Sequence, residues 1–405
     1  MKEVLIISPF VPYDKVPHAG GKIHNYYIKR LNKEPNLNIK LVTFASVEEI
    51  NFIDLESYKV NYDISYYSDG SVSRDIKRII LNLNSKLNPI HKNGGVCSGF
   101  IKYHIRKKLH ELKKLNYVPD VVVMEWTQIA LLINEVKVKF PLSKIIILEH
   151  DVFYQRFFRM FENEKNILKK CIRKIKYLKL KSSELDALAA ADAVFTLNYK
   201  DKSLLQESKL NIKKLDFICP YYDKMYDCEP TLKDKNLIFY GAMDRQENYD
   251  TCIWFIENVL YKLIKLDNEF KFYIVGNKPN KSLLKYKCEN IVITGFVTDV
   301  KKYLEKSLCM VAPLVNGAGI KIKILEAMSA GCVILTNEIG IEGIPAVNGK
   351  HYIHCEKPNE YIDTIMCLSS GIYDLVGISQ ECKRFVQKNF DFDSSYKKYK
   401  EEIES

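Results

Sequence analysis

The chain has 405 residues, which is enough for two domains of ordinary size. With 47% hydrophobic and 27% charged residues, its composition is that of a globular protein and excludes a disordered one. No apolar run approaches about 18 residues, so the sequence predicts no transmembrane helix. The formal net charge of +11 favours contact with anionic surfaces.

The first residues predict a buried strand rather than an export signal. Residues 4–7 are apolar, and the segment before them is too short and too acidic for a signal peptide. Without such a signal, we expect the 11 cysteines, which include no CxxC pair, to be reduced thiols in a cytosolic protein. His351 and His354 have a ligand-like spacing, but no carboxylate motif accompanies them, so we expect no metal site.

Strand and helix signals alternate through the first half of the chain. The predicted strands cover residues 4–7, 39–44, 120–125, 145–149 and 192–198. A helix is predicted over 22–33, after a loop that contains Gly20 and Gly21. His150 directly follows a predicted strand, and polar groups at such a strand end point toward the ligand crevice of an open α/β sheet.

Two segments of the first half are strongly basic. Residues 101–115 predict an amphipathic helix with six Lys or Arg on its polar face, and residues 165–181 contain eight Lys or Arg. These segments are either solvated helix faces or contacts to an anionic membrane surface. Attraction to such a surface contributes about 1 kcal/mol of binding free energy for each basic residue near it. We expect no nucleic-acid partner, because neither segment lies in a recognised reading motif.

The second half repeats the alternation of strand and helix after a break in the pattern. Residues 220–236 are rich in Pro, Asp and Lys and predict an interdomain linker. The strands predicted after it cover 237–240, 272–275, 291–295, 311–314 and 332–336. Alternation in both halves predicts an α/β protein with two doubly wound domains, and the last residues, 382–403, predict one or two further helices.

The most informative stretch runs from residue 311 to residue 342. It predicts a strand, a glycine turn, a helix and a second strand, and the N-terminus of such a helix favours a phosphate. Lys321 and Lys323 place positive charge beside that N-terminus, where it opposes the helix dipole unless an anion is bound. On spacing alone, an ordinary tight loop and a dinucleotide-binding fingerprint also stay open, although the third glycine of the fingerprint is absent.

The run GAGIKIKILEAMSAGCVILTNEIGIEG resembles the donor site of glycosyltransferase family 4, the retaining GT-B enzymes, in its branch written GxGxxxKxLEAM. The resemblance implies two Rossmann-like domains that face a central cleft. These would be an acceptor-binding domain over 1–220, a linker over 221–236, a nucleotide-sugar-binding domain over 237–381, and C-terminal helices over 382–405 that cross back to the first domain.

The resemblance also implies an activity. The enzyme would transfer a sugar, with retention, from a nucleotide-sugar donor to a saccharide or lipid-linked acceptor in bacterial surface polysaccharide synthesis. The missing export signal and the basic segments, rather than the resemblance, lead us to expect it in the cytoplasm or at the inner face of the cell membrane. The donor phosphate would take the acceptor proton, so we expect neither a protein base nor a metal or other cofactor.

Site residues follow from the same resemblance. Lys323 falls on the lysine of KxLEAM, and Glu326 matches the glutamate that binds the ribose hydroxyls. His150 matches a histidine that contacts the transferred sugar, and Gly20 and Gly21 match a glycine pair that faces the cleft. Lys323 and Lys321 are expected to act in catalysis, with Arg245 beside them, by stabilising the negative charge on the departing diphosphate. The remaining expected donor contacts are Gly319, Ala318, Ile320 and the base-binding loop of Gly295, Phe296 and Val297.

Two departures from the family pattern leave some of these roles open. Ala318 stands where many members have a first glutamate, and Ala242 and Glu247 fall near the places of an arginine and a lysine. Two alternatives are therefore kept. The first is a catalytically silent GT-B module that serves as a partner subunit. The second is a dinucleotide-dependent oxidoreductase, which the missing third glycine and the missing acidic residue disfavour.

Overall fold

The computed structural model describes residues 1–14, 16, 18–58, 60–67, 72–87, 96–208, 210–231, 234–316 and 319–405. The chain forms two compact units. The first unit comprises Met1–Tyr221 together with Phe392–Ser405, and the second comprises Tyr222–Asp391. Each unit is built on a parallel sheet with helices connecting its strands, so the predicted α/β fold class is confirmed.

The first sheet has seven described strands in the order β3-β2-β1-β4-β5-β6-β7. They are β1 (Lys2–Ile7), β2 (Leu37–Ala45), β3 (Asn61–Tyr66), β4 (Val121–Glu125), β5 (Lys144–Glu149), β6 (Ala193–Thr196) and β7 (Leu215–Phe217). The central strand β1 pairs with β2 on one side and with β4 on the other, in parallel register. Its residues from Val4 to Ile7 are buried, as expected for a strand that helices cover on both faces.

Helices connect these strands in the first unit. They are α1 (Ala19–Leu31), α2 (Val72–Leu87), α3 (Gly99–Lys114), α4 (Thr127–Ala130), α5 (Ile133–Lys139), α6 (Phe153–Glu162), α7 (Ile167–Ala189) and α8 (Tyr199–Glu207), with 3-10 turns at Val47–Phe52 and Leu55–Tyr58. The amphipathic pattern predicted over 101–115 is that of α3. Its apolar residues Ile101, Ile105, Leu109 and Leu112 are buried in the core cluster of the first sheet.

The second sheet has six described strands in the order β10-β9-β8-β11-β12-β13. They are β8 (Asn236–Tyr240), β9 (Lys271–Val275), β10 (Ile291–Gly295), β11 (Cys309–Ala312), β12 (Ile334–Thr336) and β13 (Ile353–His354). Its helices are α9 (Gln246–Phe255), which continues through a π-helical turn at Ile256–Leu260 into α10 (Tyr261–Leu266), then α11 (Lys281–Leu284), α12 (Lys301–Glu305), α13 (Ile322–Ser329), α14 (Glu338–Ile341), α15 (Pro358–Ser369) and α16 (Leu375–Asn389).

The last helix, α17 (Phe392–Glu404), returns to the first unit, whereas α16 lies in the second. Tyr399 packs edge-on against Tyr27 and Phe195, and Lys144 Nζ lies 2.6 Å from Glu402 Oε1. The residues from 222 to 236, for which we expected a linker, are also part of the second unit. Buried acceptors of α13 hold this segment, as the bond from the Met225 N–H to Ser329 Oγ at 3.0 Å illustrates.

Candidate functional site

Three basic side chains approach one another at the carboxyl edge of the second sheet. The strand order of that sheet reverses between β8 and β11, and ligands of open α/β sheets bind in the crevice at such a point. Lys323 lies in the first turn of α13, Lys321 is the N-cap residue of α13, and Arg245 is the N-cap residue of α9. Burial, together with repulsion from Lys321 and Arg245, lowers the pKa of Lys323 to about 8.

The Lys323 ammonium is partly buried and is held by neutral groups. Its Nζ donates to Asn248 Oδ1 at 2.5 Å and lies 4.4 Å from the centre of the Phe239 ring. Asn248 in turn donates from Nδ2 to the Ala242 carbonyl oxygen at 2.8 Å, which ties the lysine to the loop after β8. Because this acceptor is an amide rather than a carboxylate, the positive charge of Lys323 stays available to an anionic ligand.

Asn248 is missing from the residues predicted above, because its neighbours in the sequence do not distinguish it. The pair that Asn248 forms with Lys323 lies beside the turns after β8 and β9. These two turns approach each other so closely that glycine is needed in both. A Cβ on Gly276 would lie 1.7 Å from the Gly241 carbonyl oxygen, and a Cβ on Gly241 would lie 3.3 Å from Lys323 Nζ. A glycine directly after each of the two predicted strands is the sequence signal that could have marked this edge.

Glu326 faces the interior of the second unit. Its Oε1 accepts from the Asp223 N–H at 3.2 Å, and the Tyr240 hydroxyl lies 3.1 Å from its Oε2 and 2.6 Å from the Lys323 carbonyl oxygen. Burial and the neighbouring Glu326 carboxylate raise the pKa of Tyr240 well above its usual range, so the phenol stays a donor. A carboxylate has about four lone-pair positions, so these contacts leave capacity for ribose hydroxyls. The ribose-binding role of Glu326 stays a prediction.

Lys321 is less available to a ligand than its position suggests. Its Nζ donates to the Gly319 carbonyl oxygen at 2.5 Å and lies 3.5 Å from Glu342 Oε2, with both side chains largely buried. Gly319 has φ of +68°, a conformation that favours glycine. Ile320 follows it directly before the N-cap, whereas Ala318 lies outside the described residues.

The other predicted donor contacts line the same edge of the sheet. Arg245 is half-exposed, with Nη1 4.0 Å from Glu247 Oε1, so an acidic neighbour offsets part of its charge. Gly295 ends β10 with φ of +72° and open space around it. Phe296 is 74% exposed, the partly buried Val297 follows it, and the base-binding role of this loop stays a prediction.

A second cluster lies at the carboxyl edge of the first sheet, around His150. The imidazole is buried and stacks on Trp126, with ring centroids 3.6 Å apart and an angle of 11° between the planes. His150 Nε2 lies 2.8 Å from Glu125 Oε2, and His24 Nδ1 lies 3.2 Å from the other oxygen of the same carboxylate. Trp126 holds this arrangement in a strained backbone conformation, with φ of +68° and ψ of +151°.

Electrostatics assign the protonation of this cluster. Burial alone would raise the pKa of Glu125. The charge interactions and hydrogen bonds of His24 and His150 outweigh the effect of burial and lower the pKa of Glu125 to about 2. Burial lowers the pKa of His150, against the opposing effect of Glu125. A neutral His150 beside an ionised Glu125 places its proton on Nε2, so Nδ1 carries the lone pair. That nitrogen has no hydrogen-bond partner among the described residues.

The glycine pair lies in a helix rather than in the predicted loop. Helix α1 begins at Ala19 because His18 caps it, with Nδ1 accepting from the Gly21 N–H at 2.9 Å, so the predicted start at residue 22 is wrong. A Cβ on Gly20 would lie 3.0 Å from the Trp126 ring and 3.5 Å from His150 Nδ1. Gly20 therefore leaves space in front of the imidazole, whereas Gly21 packs under Val16 and His18.

Within the described ranges, no group of three or more His, Cys, Asp or Glu side chains is placed to hold a metal ion. A search of the same ranges found no helix with the length and apolar character needed to cross a membrane.

Comparisons with known proteins identify the fold of this chain and the family that one of its domains matches. Residues 234–370 match the family model described as Glycosyl transferases group 1. The chain superposes on HepE of Anabaena in complex with UDP, with a TM-score of 0.67, 10% identity and full coverage of both chains. It also superposes on a glycosyltransferase of Rickettsia africae, with a TM-score of 0.61, 15% identity and coverage of 99% and 97%. The chain therefore has the GT-B fold of these glycosyltransferase structures, and its residues 234–370 form a domain that matches glycosyl transferases group 1.

One relative by sequence is described by its own genetic region. It is a protein of Klebsiella pneumoniae described as "Uncharacterized 44.6 kDa protein in cps region". The two chains are 23% identical over 297 residues, which is 71% of this chain and 74% of the relative.

Proposed function

We propose that this protein is a retaining glycosyltransferase that moves a sugar from a nucleoside-diphosphate donor to a saccharide or lipid-linked acceptor in surface polysaccharide synthesis. The observation that carries the proposal is the partly buried Lys323 ammonium, held by the Asn248 amide at the switch point of the second sheet. The UDP named with HepE and the cps region named with the Klebsiella relative support UDP as the first nucleotide to test and capsule as the first product class.

Charge development explains why transfer needs these side chains. The bond between the anomeric carbon and the β-phosphate oxygen breaks, and negative charge grows on the departing diphosphate. Lys323, with Lys321 and Arg245 near it, would stabilise that charge, and preorganised groups of this kind supply the largest share of many rate enhancements. The acceptor oxygen bonds to the same face of the sugar, and its proton passes to the departing phosphate oxygen.

The first unit would supply groups that hold a sugar hydroxyl. His150 Nδ1 is a buried acceptor without a partner among the described residues, and Gly20 leaves the space in front of it open. A sugar hydroxyl that donates to Nδ1 would remove the cost of a buried, unsatisfied acceptor, which is about 1–3 kcal/mol. Glu125 would act as a positioning residue, because it selects the tautomer in which Nδ1 accepts.

A thermal-shift panel with UDP, GDP, CDP, ADP, dTDP and NAD tests the donor assignment. A nucleotide at 100 times its Kd stabilises the protein by about 2.7 kcal/mol, so one nucleoside diphosphate should raise the Tm clearly. Lys323→Ala should strongly reduce that shift, whereas Lys287→Ala, a change of an exposed lysine elsewhere in the second unit, should leave it intact. A shift with NAD alone would overturn the proposal in favour of an oxidoreductase.

The alternative of a silent partner subunit rests on Ala242 and Glu247, which stand near the places of two basic residues in many family members. Slow hydrolysis of the bound nucleotide sugar separates the two functions, because it needs no identified acceptor. Release of free sugar that Lys323→Ala abolishes would support the transferase. Binding of the nucleoside diphosphate without any release would favour the silent module.

A further inference from the structure

A stripe of exposed apolar side chains runs along the N-terminal half of α7. Ile167 and Leu168 are 79% and 77% exposed, and Ile172, Ile175 and Leu178 are each more than two-fifths exposed. At about 100° per residue, these side chains occupy one arc of the helix, roughly 140° wide. An apolar arc of that width normally faces a core, and among the described residues nothing covers it.

This half of α7 extends beyond the core of the first unit. From Leu180 onward the helix contributes Leu180, Ala187 and Leu188 to the buried cluster of the first sheet. The residues from Ile167 to Lys179 form about 20 Å of helix, of which Tyr177 packs against this core while the apolar stripe stays exposed. Helix α6, which leads into α7, starts three residues after His150 at the carboxyl end of β5.

Helix α6 supports the extended part of α7 from its other side. Tyr177 packs against Phe158, with ring centroids 5.2 Å apart, and stacks on Phe161. Arg173 donates from Nη1 to the Met160 carbonyl oxygen at 2.7 Å, and its Nη2 lies 2.9 Å from Glu164 Oε2. The aromatic side chain that α7 turns toward α6 is therefore packed within the α6–α7 hairpin (Phe153–Ala189). The apolar stripe lies on a different surface of α7.

Positive charge borders the stripe on both sides. Residues 153–181 contain ten Lys or Arg and two Glu, a net charge of +8 within a chain whose total is +11. By the same helical geometry, Lys174 lies at one border of the stripe, and Lys169 and Lys176 lie at the other. Lys169 and Lys174 are exposed. An apolar stripe between rows of cations is the pattern of a helix that lies in the plane of a membrane interface.

The comparison with α3 separates this pattern from a basic helix face alone. That helix also carries six Lys or Arg, but its apolar residues Ile101, Ile105, Leu109 and Leu112 are buried in the core. Its cations therefore lie on a solvated face, which was one of the two interpretations of the sequence. Helix α7 combines charge with exposed apolar area in the same place.

We propose that the α6–α7 hairpin docks this protein on an anionic membrane surface. The apolar stripe enters the headgroup region, while the bordering lysines contact lipid phosphates. The proposal does not depend on transfer activity. If the proposed function is also right, docking would bring the His150 end of β5 toward the surface that carries a lipid-linked acceptor.

Flotation of the full chain with phospholipid vesicles tests the proposal. We expect binding to vesicles of phosphatidylcholine with 30 mol% phosphatidylglycerol, and weak binding to phosphatidylcholine alone or at high salt. Leu168→Glu combined with Ile172→Glu should weaken partitioning at least about tenfold. Lys169→Glu combined with Lys174→Glu should weaken it by about fivefold or more for each charge removed.

Two control variants make the result specific to this surface. Leu142→Glu changes a side chain that is 92% exposed before β5, at the opposite edge of the sheet, and should leave binding unchanged. Lys113→Glu combined with Lys114→Glu removes two exposed charges from α3 and should have little effect. An unchanged Tm for each variant excludes misfolding as the cause of a loss.

Three outcomes would overturn the proposal. In the first, the parent protein does not float with anionic vesicles. In the second, the α3 and α7 charge variants lose vesicle binding equally, which indicates diffuse electrostatic attraction. In the third, the parent protein binds a soluble polyanion such as RNA but not vesicles, and the combined Lys169→Glu and Lys174→Glu variant loses that binding. That result would assign the surface to a different anionic partner.

Discussion

Burial has two opposing effects on the single side chain of Lys323. Burial makes its charge more effective toward a diphosphate, but burial also lowers its pKa to about 8. The Asn248 amide resolves part of this conflict, because it accepts from the ammonium without neutralising its charge. A carboxylate at position 248 would hold the lysine more firmly and would compete with the ligand.

Nucleotide affinity should therefore depend on pH. Below about pH 8 the Lys323 ammonium is charged and attracts the diphosphate, whereas above it the neutral amine loses that attraction. We expect the Kd for the preferred nucleoside diphosphate to rise by up to about tenfold per pH unit above pH 8. Titration calorimetry from pH 6.5 to 9.5 measures it. The ligand's own phosphate groups titrate equally with the parent and with Lys323→Ala, so this variant serves as the control. Its Kd should depend less on pH, and parallel pH profiles for the two proteins would contradict the assignment.

The carboxylate of Glu125 should determine the tautomer of His150. Because the pKa of Glu125 is lowered to about 2, its stabilising charge is present above about pH 4.5 and is lost only as the pH falls toward 2. Glu125→Gln removes that charge at every pH and should lower the free energy of unfolding by about 1–3 kcal/mol. Nitrogen NMR of the imidazole should show the Nε2–H form in the parent and a mixture in the variant.

A surface carboxylate provides the matched control for this prediction. Glu111→Gln changes an acid on α3 whose side chain is 40% exposed and pairs with lysines. It should leave both the His150 tautomer and the stability within about 0.5 kcal/mol of the parent. An unchanged Nε2–H signal in Glu125→Gln would show that the stacking on Trp126 is sufficient to select the tautomer.

The turns after β8 and β9 are the elements that shape the edge around Lys323. Gly276→Ala should destabilise the second unit by about 2–4 kcal/mol, because its Cβ would lie 1.7 Å from a backbone oxygen at φ of +153°. Urea unfolding followed by Trp254 fluorescence measures it. Gly371→Ala, at φ of +78° but in open space, should cost only about 1 kcal/mol. Similar costs would mean that the two loops can separate easily.

Two helices with similar basic sequences differ at this scale in which surface their apolar face meets. The apolar face of α3 lies in the core, whereas the first half of α7 lies beyond it. Periodicity predicts that both are amphipathic, but it does not state which surface the apolar face meets. That depends on how far each helix extends past its sheet.

The return of α17 to the first unit is a property of the whole molecule. Its buried residues Phe392, Tyr396, Tyr399 and Ile403 should each contribute about 1.5–3 kcal/mol to the stability of that unit. A chain that ends at Asp391 should therefore unfold in its first unit at much lower urea, while the second unit keeps its midpoint. Each unit contains one of the two tryptophans, Trp126 and Trp254, so their fluorescence reports on the units separately.

Single-tryptophan variants make this measurement clean. Trp254→Phe leaves Trp126 as the reporter of the first unit, and Trp126→Phe leaves Trp254 as the reporter of the second. Gly276→Ala serves as the opposite control, because it should lower the midpoint seen by Trp254 alone. If truncation shifts both reporters equally, the two units unfold together and the assignment of α17 to one unit has no energetic meaning.

The sequence by itself determined the alternation of strands and helices, the helix α13 that follows Gly319, and the positions of Lys323 and His150 at strand or helix ends. Each of these follows from residues that are neighbours along the chain, through hydrophobic period, backbone freedom or a local motif. Tertiary structure decided the partners. Asn248 is 75 residues from Lys323, and Glu125 is 25 residues from His150. Local patterns carry no information about such distant pairs, because only the order of the strands in each sheet brings them together.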